Sequence, residues 1–243
     1  GFQGKAGTVT VSDKNFDGTP NNVTFSGMQF ANSDGGTYVI TGDDLYATTN
    51  NTRIVVGAAS NDTDLKAQLD TVINDSAVTG SSTDLVKEGA GTLIVTKDQT
   101  YHGATNINGG TLQLGDGGSE VKLENTTGIH VNGTDSTLAL NFGSNVTFDK
   151  MIDGSGNLTQ QGAGTTTLTT NTAFTGATTI IAGNLQLGNG GETGDIANSS
   201  AIHNNSSLTI NRSNAENLTQ VIDGTGAVAQ IGRGTTTLSG VNT

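Results

Sequence analysis

Two kinds of side chain in this 243-residue sequence could do chemistry: an adjacent pair of carboxylates and three histidines. Asp43 and Asp44 form the adjacent acidic pair, and cleavage of a glycosidic bond needs two carboxyl groups that face each other across that bond. Aspartate is also common in turns, because its side chain bonds to the nearby backbone, and this pair directly follows Gly42. We therefore interpret Asp43 and Asp44 as turn residues.

The histidines do not form a predicted metal site either. His130 and His203 end the similar tripeptides GIH and AIH, 73 residues apart, whereas His102 is matched by Thr175. A side chain that recurs in this way favours a packing or ladder position over a metal ligand. The chain has no Cys, which excludes thiolate chemistry and Cys-ligated metals. We expect no catalytic, cofactor-binding or metal-binding residue.

A short glycine-rich stretch could be mistaken for a catalytic motif. Residues 115–119 read GDGGS and resemble a serine-protease motif, but they lack its middle serine, and their matched stretch at 188–192 reads GNGGE. Because the two stretches share glycines and no nucleophile, they indicate turns.

These matched positions belong to a long internal repeat. Residues 84–118 recur at 157–191, with 16 identities in the 30 positions from Gly89 to Gly118. The stretch MIDGSGNL at 151–158 is answered by VIDGTGAV at 221–228, now 70 residues apart. We place the repeats at about 84–156, 157–226 and 227–243. The third stops at Thr243 before its second half, so we expect the sequence to be a piece of a longer protein. Because stacked repeats share a core, we also expect one continuous β-helix body over residues 1–243.

The composition favours stacked short strands over an ordinary globular core. There are 36 Gly and only 4% aromatic residues, and apolar residues alternate, as in Leu112–Leu114 and Leu185–Leu187, which is typical of strands with one buried face. Leu65 to Ile73 is ambiguous: its apolar spacing fits one or two helical turns, or a loop and a strand. Eight or nine short strands per repeat predict about three coils of a β-solenoid, an all-β fold.

The repeat also predicts which residues pack inside. Leu112, Leu114, Leu185 and Leu187 are expected to fill the interior, with Tyr101 and its mate Phe174 as aromatic plugs. We expect four matched glycines to adopt positive φ or to lie where a side chain would crowd the neighbouring coil; these are Gly89, Gly91, Gly110 and Gly115.

The phrase G-x-G-T-L-x-L…Y-x-G-x-T-x-I-x-x-G-x-L-x-L-G, at 84–118 and 157–191, resembles the passenger-associated strand repeat of bacterial autotransporters (type V secretion). The stretch FSGMQFANSDGGTYVITGDDLYA at 25–47 is similar to the segment that precedes such repeats in AIDA-type adhesins. The resemblance implies a right-handed parallel β-helix. It also implies a location at the bacterial cell surface, anchored in the outer membrane by a barrel outside this sequence, or secreted after release.

The net charge and the shortness of the apolar runs narrow the range of possible binding partners. A net charge of −12 with scattered Lys and Arg argues against nucleic acid and against an anionic membrane surface, and no apolar run could insert directly into a membrane. We expect a non-catalytic scaffold for adhesion and self-association, whose partners are neighbouring copies of itself or a host-surface protein or glycan. The alternative is the spine of a passenger whose effector domain lies elsewhere.

One irregularity predicts a protruding loop. Six residues separate Ile152 from Leu158, and six separate Ile222 from Val228, but twelve separate Ile73 from Leu85. Extra residues must leave the coil if the register on both sides is to survive. We expect a polar loop around residues 74–83, a place where recognition residues are often carried. Its candidate residues are Asn74, Asp75, Ser81, Ser82 and Thr83.

Overall fold

The computed structural model describes residues 1–3, 5–13, 22–31, 35–75, 82–118 and 120–243. Within them the chain contains strands and no helix, and it forms two compact units: Gly1–Leu114 with Val121–Gly128, and Gly115–Glu120 with Ile129–Thr243. The ambiguous stretch after Leu65 is a strand, because Ala67 and Leu69 alternate inward with no exposed area. All-β parallel stacking is therefore confirmed.

The first unit has thirteen strands among the described residues. They are β1 Phe2–Gln3, β2 Thr8–Val11, β3 Val23–Phe25, β4 Gly27–Ala31, β5 Thr37–Gly42, β6 Leu45–Ala47, β7 Asn51–Val56, β8 Lys66–Asp70, β9 Ile73–Asn74, β10 Asp84–Glu88, β11 Thr92–Val95, β12 Thr105–Ile107 and β13 Thr111–Leu114. Within this unit the parallel orders are β1-β4-β7-β10-β12, β2-β5-β8-β11-β13 and β3-β6-β9. Each turn of the chain thus adds one strand to each of up to three sheets, as in a solenoid.

The second unit is built in the same way. Its strands are β14 Ile129–Val131, β15 Thr137–Leu140, β16 Val146–Phe148, β17 Ile152–Gly154, β18 Asn157–Gln160, β19 Thr165–Leu168, β20 Ala173–Phe174, β21 Thr178–Ile180, β22 Asn184–Leu187, β23 Ala201–Asn204, β24 Ser207–Ile210, β25 Glu216–Leu218, β26 Val221–Asp223, β27 Ala227–Gln230 and β28 Thr236–Leu238. We name its sheets I (β14-β17-β20), II (β15-β18-β21-β23-β26), III (β16-β19-β22-β24-β27) and IV (β25-β28).

The interior of each unit is a stack of aliphatic side chains. The four leucines predicted for the interior have no exposed area, and Tyr101 and Phe174 are 1% exposed. In the second unit Leu168 stacks on Leu187, which stacks on Ile210, one coil after another. Burial at roughly 25 cal/mol per Å² of apolar surface makes this stack the main source of stability.

The predicted glycines behave in the two ways expected. Gly89, Gly110 and Gly115 have φ of 81°, 60° and 83°, which strains any residue with a side chain. Gly91 has no such φ, but a Cβ there would lie 2.4 Å from the backbone oxygen of Leu65. Backbone conformation therefore requires glycine at three of these positions, and the lack of room for a side chain requires it at the fourth.

The repeat length is three coils plus one strand. Leu158 pairs in register with Thr178, which pairs with Ile202, which pairs with Ile222, so three coils end at Ile222. The repeat mate of Leu158 is Val228, which lies on β27 in sheet III, whereas Leu158 lies in sheet II. The third copy of the repeat is therefore shifted around the coil by one side relative to the second copy.

Candidate interaction surface

Sheet III presents an uncharged polar surface. Its inward residues on β16, β19, β22 and β24 are buried and apolar except for Thr166. Its outward residues form two rows that cross the strands in register. We call this surface the polar face and define it by Thr147, Thr167, Gln186 and Thr209 in one row, and Thr165, Asn184 and Ser207 in the other. Thr209 is only 8% exposed, and the rows end on β27 in Ala229 and Ala227. It carries no charged side chain, although the chain as a whole has a net charge of −12.

Some polar groups of the polar face are bonded within the chain, and others are free to bond to a partner molecule. Thr209 Oγ1 donates to Asn184 Oδ1 at 2.9 Å, and Gln186 Nε2 donates to the Gly188 carbonyl at 2.8 Å. Within the described residues, the hydroxyls of Thr147, Thr167 and Ser207 have no hydrogen-bond partner. Hydroxyls and amides both donate and accept, so this surface can bond to another polar surface without charge pairing.

Sheet II is polar on its outward side as well. Thr159 and Thr179 are in register, and the same row continues to His203 and Asp223. His203 Nδ1 lies 2.8 Å from Asp223 Oδ1, so the ionisable groups of this row bond to each other.

The matched histidines lie in ladder positions, as expected. His130 Nδ1 lies 2.5 Å from Asp153 Oδ1, one coil away and directly in register, and the His203–Asp223 pair repeats this contact. His102, which has no histidine mate, bonds through Nδ1 to Asp75 Oδ2 at 2.5 Å. All three histidines therefore join neighbouring coils. Among the described residues no group of three or more His, Cys, Asp or Glu is arranged to hold a metal ion.

Asp43 and Asp44 act as acceptors at the edge of a small cavity of about 260 Å³. Asp43 Oδ2 accepts from the Asp13 N–H at 2.9 Å, and Asp44 Oδ2 accepts from Asn74 Nδ2 at 2.8 Å. Both contacts join residues of different coils, which supports a structural role for the pair.

The ends of the predicted loop belong to the coil body. Asn74 is the last residue of β9, and Thr83 is 1% exposed, with its hydroxyl 3.0 Å from that of Thr52. Asp75 Oδ1 accepts from the Thr83 N–H at 2.9 Å, so the two ends of the loop meet. Ser82 is exposed, and Ser81 lies outside the described residues. A projecting loop between these ends stays a prediction.

A capping position in each repeat was missed from the sequence. Lys87 is fully buried, and its Nζ donates to the carbonyls of Glu88, Gly89 and Gly109 at 3.0, 2.9 and 2.8 Å. Burial lowers the pKa of Lys87 to about 7, against an opposing attraction to Glu88. At the matched positions Gln160 and Gln230 donate to two turn carbonyls each. The signal was present, since polar residues recur two positions before the first repeat glycine.

A buried ionic cluster was also missed. Arg212 is 4% exposed; its Nη1 lies 3.1 Å from Asp195 Oδ2 and 2.8 Å from Glu216 Oε2, and its Nη2 donates to the Glu192 carbonyl. Burial raises the pKa of Glu216, Arg212 opposes this rise, and Asp195 adds to it. The 70-residue offset matches Arg212 and Glu216 with Phe142 and Val146, so two buried apolar side chains in one copy are replaced by an ion pair in the next.

Comparison with known protein sequences agrees with the repeat. The passenger-associated-transport-repeat family matches residues 85–114 and 158–187. The chain is 37% identical over 254 residues to a protein named adhesin BmaC autotransporter from Brucella suis biovar 1 (strain 1330), a match that covers 94% of the chain and 7% of that relative.

These repeats and this similarity identify the chain as an autotransporter passenger sequence. The family places it at the bacterial cell surface, anchored in the outer membrane, or secreted. In the described part of the chain, no helix combines the length and apolarity needed to cross a membrane.

Proposed function

We propose that the chain is a non-catalytic adhesive surface, and that copies on neighbouring cells associate through the polar face of sheet III. The observation that carries this proposal is the absence of charged side chains on that face of an otherwise acidic chain. Two chains of net charge −12 repel each other over a screening length of about 10 Å at 0.1 M salt. The polar face is where two copies can approach with least repulsion.

The chemistry of the polar face suits weak, repeated contacts. Each hydrogen bond between hydroxyl or amide groups contributes only about 0.5–1.5 kcal/mol net. Many copies displayed on one cell act together, because each bond formed raises the effective concentration of the remaining sites. Association should therefore be reversible and should need dense display. The adhesin name of the Brucella relative is consistent with this role.

The test places charges on the polar face. Beads or cells that display the chain densely should clump, and the variant Thr167→Asp with Gln186→Asp should lose most of this clumping. The matched control is Thr134→Asp with Thr219→Asp, which also adds two negative charges at exposed positions outside the polar face. The control should clump like the parent chain. Equal loss in both variants would show that total charge, not the polar face, governs association.

Other results would favour other functions. If displaying cells bound host cells but not each other, the binding partner would be a host-surface protein or glycan. Displaying cells that do neither would support the spine alternative. Turnover of a glycan or peptide by the purified chain would overturn the non-catalytic assignment.

A further inference from the structure

Three exposed asparagines in the turns are each followed directly by a glycine. The pairs are Asn108–Gly109 after β12, Asn132–Gly133 after β14, and Asn189–Gly190 shortly after β22. Because glycine has no side chain to shield its backbone nitrogen, that nitrogen can reach the side-chain carbonyl carbon of the preceding asparagine. A neutral amide can in this way become a carboxylate without an enzyme.

The chemistry is deamidation through a cyclic imide. The glycine nitrogen gives its proton to solvent and forms a bond to the asparagine Cγ, while the Cγ–Nδ2 bond breaks and the amide nitrogen takes up a proton and leaves as ammonia. Water then opens the ring. Attack of water at Cγ gives aspartate, and attack at the main-chain carbonyl carbon gives isoaspartate, whose main chain runs through Cγ and is one methylene longer.

The reacting nitrogen is held in a hydrogen bond at one of the three pairs. The Gly190 N–H donates to the Asn211 carbonyl of the next coil at 2.7 Å, and in the earlier copy Gly117 donates in the same way to Asn141 at 2.9 Å. A nitrogen in such a bond cannot lose its proton or turn toward the side chain until the turn opens locally. This contact therefore shields Asn189.

The other two pairs lack this bond. Within the described residues, neither the Gly109 N–H nor the Gly133 N–H donates to a backbone carbonyl. It is the carbonyl of each glycine that is bonded: the Gly109 carbonyl accepts from Lys87 Nζ at 2.8 Å, and the Gly133 carbonyl accepts from the Ser136 N–H at 2.9 Å. The bonds that hold these two turns thus leave the reacting nitrogen free.

We propose that Asn108 and Asn132 are sites of spontaneous deamidation in the folded chain, and that the fold protects Asn189. Each event replaces an amide with a carboxylate, so a chain that has reacted at both sites carries two negative charges beyond the −12 of the newly made chain. The surface of the protein therefore becomes more acidic with age at two defined turns.

The repeat indicates which product the fold accepts at Asn108. The mate of Asn108 is Ile181, so the side chain at this place can change. The main chain beside it has little freedom, because Gly110 has a φ of 60° and a Cβ there would lie 2.4 Å from the Gly91 carbonyl oxygen. Aspartate should therefore leave the coil intact, whereas isoaspartate should displace Gly110 and the start of β13.

The experiment is peptide mapping by mass spectrometry of the purified full chain during long incubation in mildly alkaline buffer. Heavy-oxygen water marks the carboxylates formed during the incubation, and a protein isoaspartyl methyltransferase with a labelled methyl donor marks isoaspartate. We expect conversion at Asn108 and Asn132 to be several-fold faster than at Asn189. The same chain unfolded in urea is the control, because the hydrogen bond of Gly190 is then lost and the three pairs should react at similar rates.

A matched variant tests the role of the glycine nitrogen. Gly109→Ala places a methyl group beside this nitrogen, and the later copy carries Ala182 at the matched position. The new Cβ would lie 3.3 Å from the backbone of Gly89, a contact that a small shift relieves. Deamidation at Asn108 should fall several-fold in this variant while Asn132 reacts as before, and circular dichroism establishes that the β structure is kept.

Two results would overturn the proposal. One is a folded chain in which the three pairs react at equal rates, since the Gly190 hydrogen bond would then give no protection. The other is a folded chain that reacts at none of them while the unfolded chain reacts at all three, since the free nitrogens of Gly109 and Gly133 would then be insufficient for the reaction.

Discussion

At the scale of single residues, the turns depend on side chains that satisfy buried carbonyl groups. A buried carbonyl left without a donor costs about 1–3 kcal/mol. Lys87 in the first copy and Gln160 in the second supply donors to such carbonyls from the same repeat position. Gln230 in the third copy makes the same contact at an exposed turn. The side chain therefore matters for its N–H groups, and its charge is secondary.

This comparison predicts the outcome of two substitutions. Lys87→Gln should preserve most of the stability, because Gln makes the same kind of contact in the other copies. Lys87→Met should lower the free energy of unfolding by about 1–3 kcal/mol, since the carbonyls of Gly89 and Gly109 would lose their donor. Denaturant unfolding at fixed pH measures both values. Equal losses in the two variants would refute the capping role.

Lys87 also predicts a pH dependence. Its folded-state pKa of about 7 lies below that of a lysine in the unfolded chain, about 10.4. Between these values the unfolded chain binds more protons than the folded chain, so the free energy of unfolding should rise with pH by up to about 1.4 kcal/mol per unit. Lys87→Gln should flatten this rise between pH 7 and 10. An unchanged slope in the variant would assign it to other groups.

The interior leucines, the aromatic plugs and the positive-φ glycines could be predicted from the sequence, because stacking restricts those positions to few residue types. The recurrence of a polar residue at the Lys87 position was visible in the sequence, but the burial of Lys87 and of Arg212 could not be predicted, because a lone basic residue is normally exposed. Their burial depends on carbonyls and carboxylates that come close only after the coil has formed. The histidine ladder could be predicted as a ladder, but its aspartate partners could not, since their register was unknown.

At the scale of secondary-structure elements, the register between coils places different side chains at equivalent positions of successive repeats. The contact between Phe142 and the turn at Gly115 recurs as the contact between Arg212 and the turn at Gly188. The two side chains thus occupy equivalent places beneath equivalent glycine turns. Val146 and Glu216, each four residues further along the chain, are matched in the same way.

A double substitution tests this equivalence. Arg212→Phe alone should cost about 3–5 kcal/mol, because it leaves Glu216 and Asp195 without their cation. Arg212→Phe combined with Glu216→Val should recover the part of this loss that comes from Glu216, since it restores the two buried apolar residue types of the earlier copy. Chemical unfolding of both single variants and the double variant gives the coupling energy. Additive losses would show that the two places are not equivalent.

The loop after β9 gives the second prediction at this scale. Deletion of residues 76–81 should leave the fold intact, because the Thr83 N–H already bonds to Asp75 Oδ1 and the two ends are close enough to be joined through Ser82. Thermal unfolding followed by circular dichroism should shift little. As a control, deletion of six residues from the strand and turn at 112–117 should abolish cooperative unfolding. A deletion at 76–81 that was equally damaging would show that the extra residues are part of the coil.

The number of coils per repeat could be predicted from strand length and count, but the advance by one side could not. A sequence pattern shows that a strand has a buried face, and it does not show which of three sides that strand occupies. Small differences in turn length decide this: successive coils at sheet II take 20, 24 and 20 residues from Leu158 to Ile222. Only the register of the strands shows that the remaining residues carry the copy to the next side.

At the scale of the whole molecule, the acidic charge opposes the contacts that the polar face offers. Repulsion between two chains of net charge −12 acts over the screening length, whereas hydrogen bonds between hydroxyls and amides act only at contact. The two contributions therefore respond differently to salt. Association driven by ion pairs would weaken as salt is added, because added ions screen attraction.

Self-association of this chain should instead strengthen with salt. Raising NaCl from about 20 mM to about 300 mM shortens the screening length several-fold, which removes repulsion while the polar contacts persist. Sedimentation velocity at one protein concentration should then show a larger associated fraction at the higher salt. The Thr167→Asp with Gln186→Asp variant should gain less than the parent chain, because its added carboxylates must still be desolvated at contact. Weaker association of the parent chain at high salt would mean that charged side chains outside the polar face make the contact.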